Sequence, residues 1–119
     1  MKMDKFCWKI KYQGKAPSLN DWYSGKHWYK RMETKQHYGK IFEDLLEEAG
    51  VERMDKFQIS ILFNSRLDTD NVVGLSKILV DTMKGKYFTE DSKRFYRGLL
   101  IQPDESLPHN TYIISIYPL

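Results

Sequence analysis

The stretch Phe57-Gln58-Ile59-Ser60-Ile61-Leu62-Phe63-Asn64-Ser65-Arg66-Leu67-Asp68-Thr69-Asp70-Asn71 decides the fold, because its periodicity changes part-way along. Phe57, Ile59, Ile61 and Phe63 alternate with Gln58, Ser60 and Asn64, the two-residue period of a strand with one buried face. From about Asn71 to Met83 the period becomes helical, and Val72, Leu75, Ile78, Leu79 and Met83 share one side. Asp70 or Asn71 is the expected N-cap, since a short polar side chain there accepts a bond from an early helical N–H. Gly85 is the expected stop.

Working outward, Phe6, Trp8, Ile10 and Tyr12 alternate with Cys7, Lys9 and Lys11 and predict a half-buried strand over residues 6–12. Gly14, Pro17, Asn20 and Gly25 mark a loop. A long helix follows from about His27 to Ala49, with Tyr38, Ile41, Phe42, Leu45, Leu46 and Ala49 as its core stripe and Gly50 as its stop. Downstream, Phe95–Ile101 and Tyr112–Tyr117 read as two more strands. The loop between them contains Pro103, Asp104, Glu105, Pro108 and Asn110. There is no internal repeat and no low-complexity segment. The order β-α-β-α-β-β predicts an α/β fold, a small mixed sheet of about four strands with two main helices packed on it. At 119 residues the chain is expected to form a single domain over 1–119.

Composition narrows the class. A lone Cys7 forms no internal disulfide and suits a reducing, cytoplasmic setting. It reads as a small buried hydrophobe rather than a nucleophile. No apolar segment follows the first residues as in a signal peptide, and no run is long enough to span a membrane. His27, His37 and His109 lack zinc-ligand spacing to one another or to the cysteine. No P-loop, nucleophile elbow or dinucleotide fingerprint is present. The net charge is only +3, but ten Lys and Arg residues crowd the first third of the chain. Lys84, Lys86, Lys93, Arg94 and Arg97 bracket Asp91. Basic surface around carboxylates suits a polyanion whose phosphate also meets a metal. For most single lysines, ordinary solvation is explanation enough.

The carboxylates carry the chemistry. Asp68 and Asp70 are spaced i, i+2, so in extended backbone both leave one face. Acids that converge repel one another unless a hard cation such as Mg²⁺ or Mn²⁺ sits between them. Asp91, in Thr89-Glu90-Asp91-Ser92, is the third candidate, because a sheet with the third strand beside the second would carry it next to Asp68. Asp70, Gly74, Lys77 and Asp81 fall on one side of the second helix. Gly74 costs roughly 1 kcal/mol of helix stability relative to Ala, which suits a close approach there. Lys77 is placed to meet a phosphate. Simpler readings stand beside these: Asp68 and Asp70 as turn and cap residues, and Lys77–Asp81 as a solvated i, i+4 pair. Trp22, Tyr23, Trp28 and Tyr29 lie among basic residues, where they suit base stacking, a core or a subunit interface.

Together these residues resemble the RusA family of Holliday junction resolvases, small phage and prophage endodeoxyribonucleases. The family pattern is Asp-x-Asp-Asn, a Lys and an Asp four apart on the next helix, and an acidic pair before Ser or Ala. Here it reads Asp68-Thr69-Asp70-Asn71, Lys77 with Asp81, and Glu90-Asp91-Ser92. Pro17-Ser18-Leu19-Asn20 is similar to the family's Pro-Ser-x-Asn loop. The pattern departs in two places: three extra residues separate Asn71 from Lys77, and Glu90 replaces an Asp. The resemblance covers roughly residues 6–117 and implies a single endonuclease domain. It implies that Asp68, Asp70 and Asp91 bind Mg²⁺ or Mn²⁺ and that Lys77 is the catalytic lysine. Glu90, Asp81 and Asn71 would orient those ligands. Asn20, Lys26, Lys30, Arg31, Arg66, Lys84, Lys86 and Lys93 are the candidates for DNA contact.

The implied activity is metal-dependent hydrolysis of phosphodiesters in four-way junctions or other branched DNA, by a homodimer acting in recombination and repair. A two-fold partner also follows from one centre per small chain and two strands to cut. Two other readings remain. One is a non-catalytic DNA-binding dimer of a phage replication or recombination system, its acids serving as caps and salt bridges. The other is a nuclease of general flap or single-strand preference.

Overall fold

Phe57, Ile59, Ile61 and Phe63 are each 2% exposed or less, and the strand they form lies inside the sheet. The computed structural model describes residues 6–17, 28–89 and 93–119, and of residues 28–31 the backbone alone. Its elements are β1 (Trp8–Gln13), α1 (Trp28–Ala49), β2 (Phe57–Asn64), a 3₁₀ turn (Thr69–Val72), α2 (Val73–Met83), β3 (Tyr96–Pro103) and β4 (Thr111–Pro118). The strands form one four-stranded mixed sheet in the order β1-β4-β2-β3. β4 runs antiparallel to both β1 and β2, while β2 and β3 are parallel and joined through α2.

The registers sort the faces. Ile10 pairs with Ile114, and Ile114 with Ile61, so these side chains share one face. That face meets Phe42 and Leu46 of α1 and Leu75, Ile78, Leu79 and Met83 of α2, all within one core. The other face carries Lys9, Lys11, Gln58 and Leu100, all exposed. The mixed α/β sandwich expected from the sequence is therefore the observed one.

Helix ends follow backbone chemistry. Gly50 has φ +71°, a conformation that glycine adopts without steric cost. Its N–H bonds the Glu47 carbonyl at 3.0 Å, and the Val51 N–H bonds the Leu46 carbonyl at 3.2 Å. These two bonds make a Schellman cap, with Val51 and Leu46 both buried beside it. After α2, Gly85 at φ +88° turns the chain, as expected for its stop.

Three expectations are corrected. β1 begins at Trp8, and Phe6 is 63% exposed, its ring edge-on to Trp8 at 5.0 Å. Cys7, just before the strand, is half-buried rather than enclosed. Neither Asp70 nor Asn71 caps α2, because both lie inside the 3₁₀ turn that precedes it. The N–H groups of Asn71 and Val72 both reach the Asp68 carbonyl, at 2.9 and 3.3 Å, which starts the turn three residues early.

Candidate functional site

β2 ends in three linked ties. Asn64 Nδ2 donates to the Leu107 carbonyl at 2.6 Å, holding the β3–β4 loop against the strand end. The Tyr112 hydroxyl donates to Ser65 Oγ at 2.7 Å, and the Leu67 N–H donates to the same oxygen at 3.2 Å. The chain then turns at Asp68, whose backbone is extended (φ −71°, ψ 156°) and whose side chain makes no cap bond. Asp68, Thr69 and Asp70 are exposed, Asn71 is half-buried, and Val72 anchors the turn at 0% exposure. The backbone is thus held while the two carboxylates stay in water. The cap reading of Asp68 is not realised. The extended i, i+2 argument does not hold either, since Thr69 and Asp70 are in 3₁₀ geometry.

This turn lies beyond the carboxyl ends of the parallel strands β2 and β3, the usual place for ligands in open α/β sheets. Arg66 is exposed on the same turn, two residues before Asp68. Lys77 is exposed on α2, about 10 Å along the axis from Asp70 at 1.5 Å per residue.

The other acids are elsewhere. Asp81 lies about 16 Å along the helical path from Asp70. Its carboxylate meets the ammonium of Lys35 on α1 at 3.6 Å, so it ties the two helices and does not orient the first two acids. Gly74 is buried, so the side of α2 running from Asp70 to Asp81 is not an open polar stripe.

Glu90 and Asp91 lie outside the described residues. β3 does pair with β2, as expected, but in parallel, so the start of β3 lies beside the start of β2. The described flanks of these acids are found there. The Phe57 N–H bonds the Phe95 carbonyl at 2.9 Å, and Arg53 Nη2 reaches Thr89 Oγ1 at 3.3 Å. Asp68 follows the opposite end of a strand of eight residues, roughly 23 Å long at 3.3 Å per step. Among the described residues no three His, Cys, Asp or Glu side chains are grouped to hold a metal.

The expected DNA contacts divide between the two ends. Arg66 is beside the acids, while Lys84, Lys86 and Lys93 are exposed at the far end. Lys86 meets Glu47 at 3.4 Å and lies 5.4 Å from the centre of the Tyr87 ring. The Glu47 carboxylate beside it raises its pKa above the usual lysine value. Asn20 and Lys26 lie outside the described residues, as do Trp22 and Tyr23. So do the side chains of Lys30, Arg31, Trp28 and Tyr29.

Sequence reasoning missed Arg53. Its guanidinium takes the carbonyls of Gly85 and Lys86 at 2.7 and 3.3 Å and so holds the turn after α2. A single arginine in a short connecting segment has no periodic signal that would single it out. Comparison with protein-family models finds no match, and comparison with curated proteins finds none either.

Proposed function

We propose that the chain is a Mg²⁺- or Mn²⁺-dependent endodeoxyribonuclease that cuts four-way or otherwise branched DNA, in recombination and repair, as a homodimer in the cytoplasm. The observation that carries this reading is the exposed carboxylate pair Asp68 and Asp70, on a turn whose backbone is tied down at the carboxyl end of β2. Oxygen donors free of capping duty fit a hard cation, so Asp68 and Asp70 would hold it together with Asp91. When bound, such an ion polarises a phosphate and lowers the pKa of a coordinated water. Lys77 would meet charge developing on the phosphate, and Arg66 would draw the polyanion to the turn.

The reading takes two copies of the chain, one for each of the two strands to be cut.

The test is cleavage of a synthetic four-way junction with Mg²⁺ or Mn²⁺ by wild type and by Asp70→Asn. The variant is expected to bind the junction at least as tightly, having lost one repulsive charge, and to leave it uncut. Equal cutting by both ends the proposal. The second reading is a DNA-binding dimer without catalysis, in which the exposed Asp68 and Asp70 are simply solvated turn residues. Calorimetric titration with Mn²⁺ separates the two, since that reading expects salt-sensitive DNA binding and no metal uptake.

A further inference from the structure

Among the described residues β3 is the last strand of the sheet, and one of its backbone edges has no strand beside it. The edge strand at the other side, β1, is guarded by two exposed lysines, Lys9 and Lys11, a common device against edge-to-edge pairing. β3 carries such guards only at its two ends, Arg97 and Pro103. Its middle, Gly98-Leu99-Leu100-Ile101, is uncharged, and Leu99 and Leu100 are 39% and 52% exposed. Its two ends are oppositely charged. Lys93, Arg94 and Arg97 lie at the start, and Asp104 and Glu105 follow Pro103 at the end. Pro103 has no N–H to give and falls at the strand's last position, where it limits pairing to the residues before it.

A strand with a basic start, an apolar middle and an acidic finish complements itself only when reversed. Antiparallel pairing sets each basic start against an acidic finish and the leucines against each other. Parallel pairing sets like charges side by side. Self-complementarity of this kind is what a closed two-fold dimer needs.

We infer that the β3 edges of two copies pair antiparallel about a two-fold axis near Leu100, joining their four-stranded sheets into one. Backbone bonds then supply the affinity, as in other strand additions, and the charged ends set the register. The seam also carries each chain's Asp68–Asp70 turn alongside the start of the partner copy's β3, and only the use of that arrangement for cutting DNA rests on the nuclease reading.

The experiment is sedimentation velocity at micromolar concentration, with far-UV circular dichroism to check folding. Wild type is expected at twice the 14.2 kDa chain mass. Leu100→Lys, which places like charges on the axis at an exposed site, is expected to sediment as a monomer with an unchanged spectrum. Arg97→Glu is expected to weaken the dimer roughly tenfold, from two lost pairs of up to 1 kcal/mol each. Arg97→Glu combined with Glu105→Arg is expected to restore it. Glu105 is chosen for the exchange because Asp104 is bonded to Ser106. A monomeric wild type overturns the seam, and so does a dimer undiminished by Leu100→Lys. In the second case, Mn²⁺ uptake and cutting that persist leave the two-copy nuclease standing on another surface. A dimer that Leu100→Lys dissociates, but that takes up no Mn²⁺, keeps the seam and ends the metal reading.

Discussion

The Tyr112 hydroxyl donates to Ser65 Oγ at 2.7 Å and so ties the buried strand β4 to the turn that presents Asp68. Tyr112 is 1% exposed, and its ring is stacked on Phe63 at 6.0 Å. Tyr112→Phe keeps that packing and removes the tie. The expected loss is about 1 kcal/mol, the usual net worth of one hydrogen bond. For a domain of this size that is a fall in Tm of roughly 4 °C, readable in a thermal melt. Amide exchange at Leu67, whose N–H shares the Ser65 oxygen, should quicken as well. A Tm and an exchange rate that both match wild type would show that the tie does not hold the turn.

Asp81 and Asp70 should behave as opposites, although both belong to the acid pattern of the sequence. Asp81 pairs with Lys35 at 3.6 Å between two helices, with a third to a half of each side chain in water. A double-mutant cycle on Asp81→Asn and Lys35→Met should give a coupling below about 1 kcal/mol. Asp81→Asn should leave junction cutting unchanged, where Asp70→Asn abolishes it. Loss of cutting in Asp81→Asn without loss of stability would return Asp81 to the site.

How much of this was legible beforehand depended on whether the signal was periodic. The apolar faces of β2, α1 and α2 are written in residues such as Ile59, Phe42 and Leu75, because burial selects side chains at a regular spacing. Gly50 and Gly85 announced the helix ends through the positive φ they permit. What escaped was set by backbone partners and strand direction. Asp70 fits an N-cap by residue type, yet the Asp68 carbonyl accepts two N–H groups and starts the turn earlier. Nothing local states that β3 runs parallel to β2, and that direction sends Thr89 and Phe95 to the far end. Asp81 meets Lys35 on another helix, a contact that no i, i+4 rule predicts.

Gly50→Ala tests the cap of α1. The site has room, since nothing lies within 4 Å of the added Cβ, so any cost is conformational. Holding alanine at φ +71° should destabilise the protein by about 1 kcal/mol. Denaturant unfolding should show a lower midpoint with an unchanged slope. An unchanged midpoint would mean that the Schellman bonds are not needed to end the helix.

Alkaline pH should loosen the fold as it rises through the range in which free tyrosines ionise. Burial pushes the Tyr96 hydroxyl up to about 12, and it has no hydrogen-bond partner among the described residues. Tyr12 is likewise pushed to about 12, first by burial and then by the neighbouring Tyr38, and its hydroxyl donates to the Lys15 carbonyl. In the unfolded chain both groups titrate near 10. Between about pH 10 and 12 the unfolded chain therefore holds fewer protons than the folded one, and stability falls as pH rises. Below 10 both states are protonated and the contribution is fully present. Denaturation midpoints measured from pH 8 to 12 should stay level and then drop. Tyr96→Phe should flatten part of that drop. At neutral pH the same variant should gain up to about 1 kcal/mol, because it removes a buried hydroxyl that bonds to nothing described. A drop of full size in Tyr96→Phe would place the alkaline sensitivity on other groups.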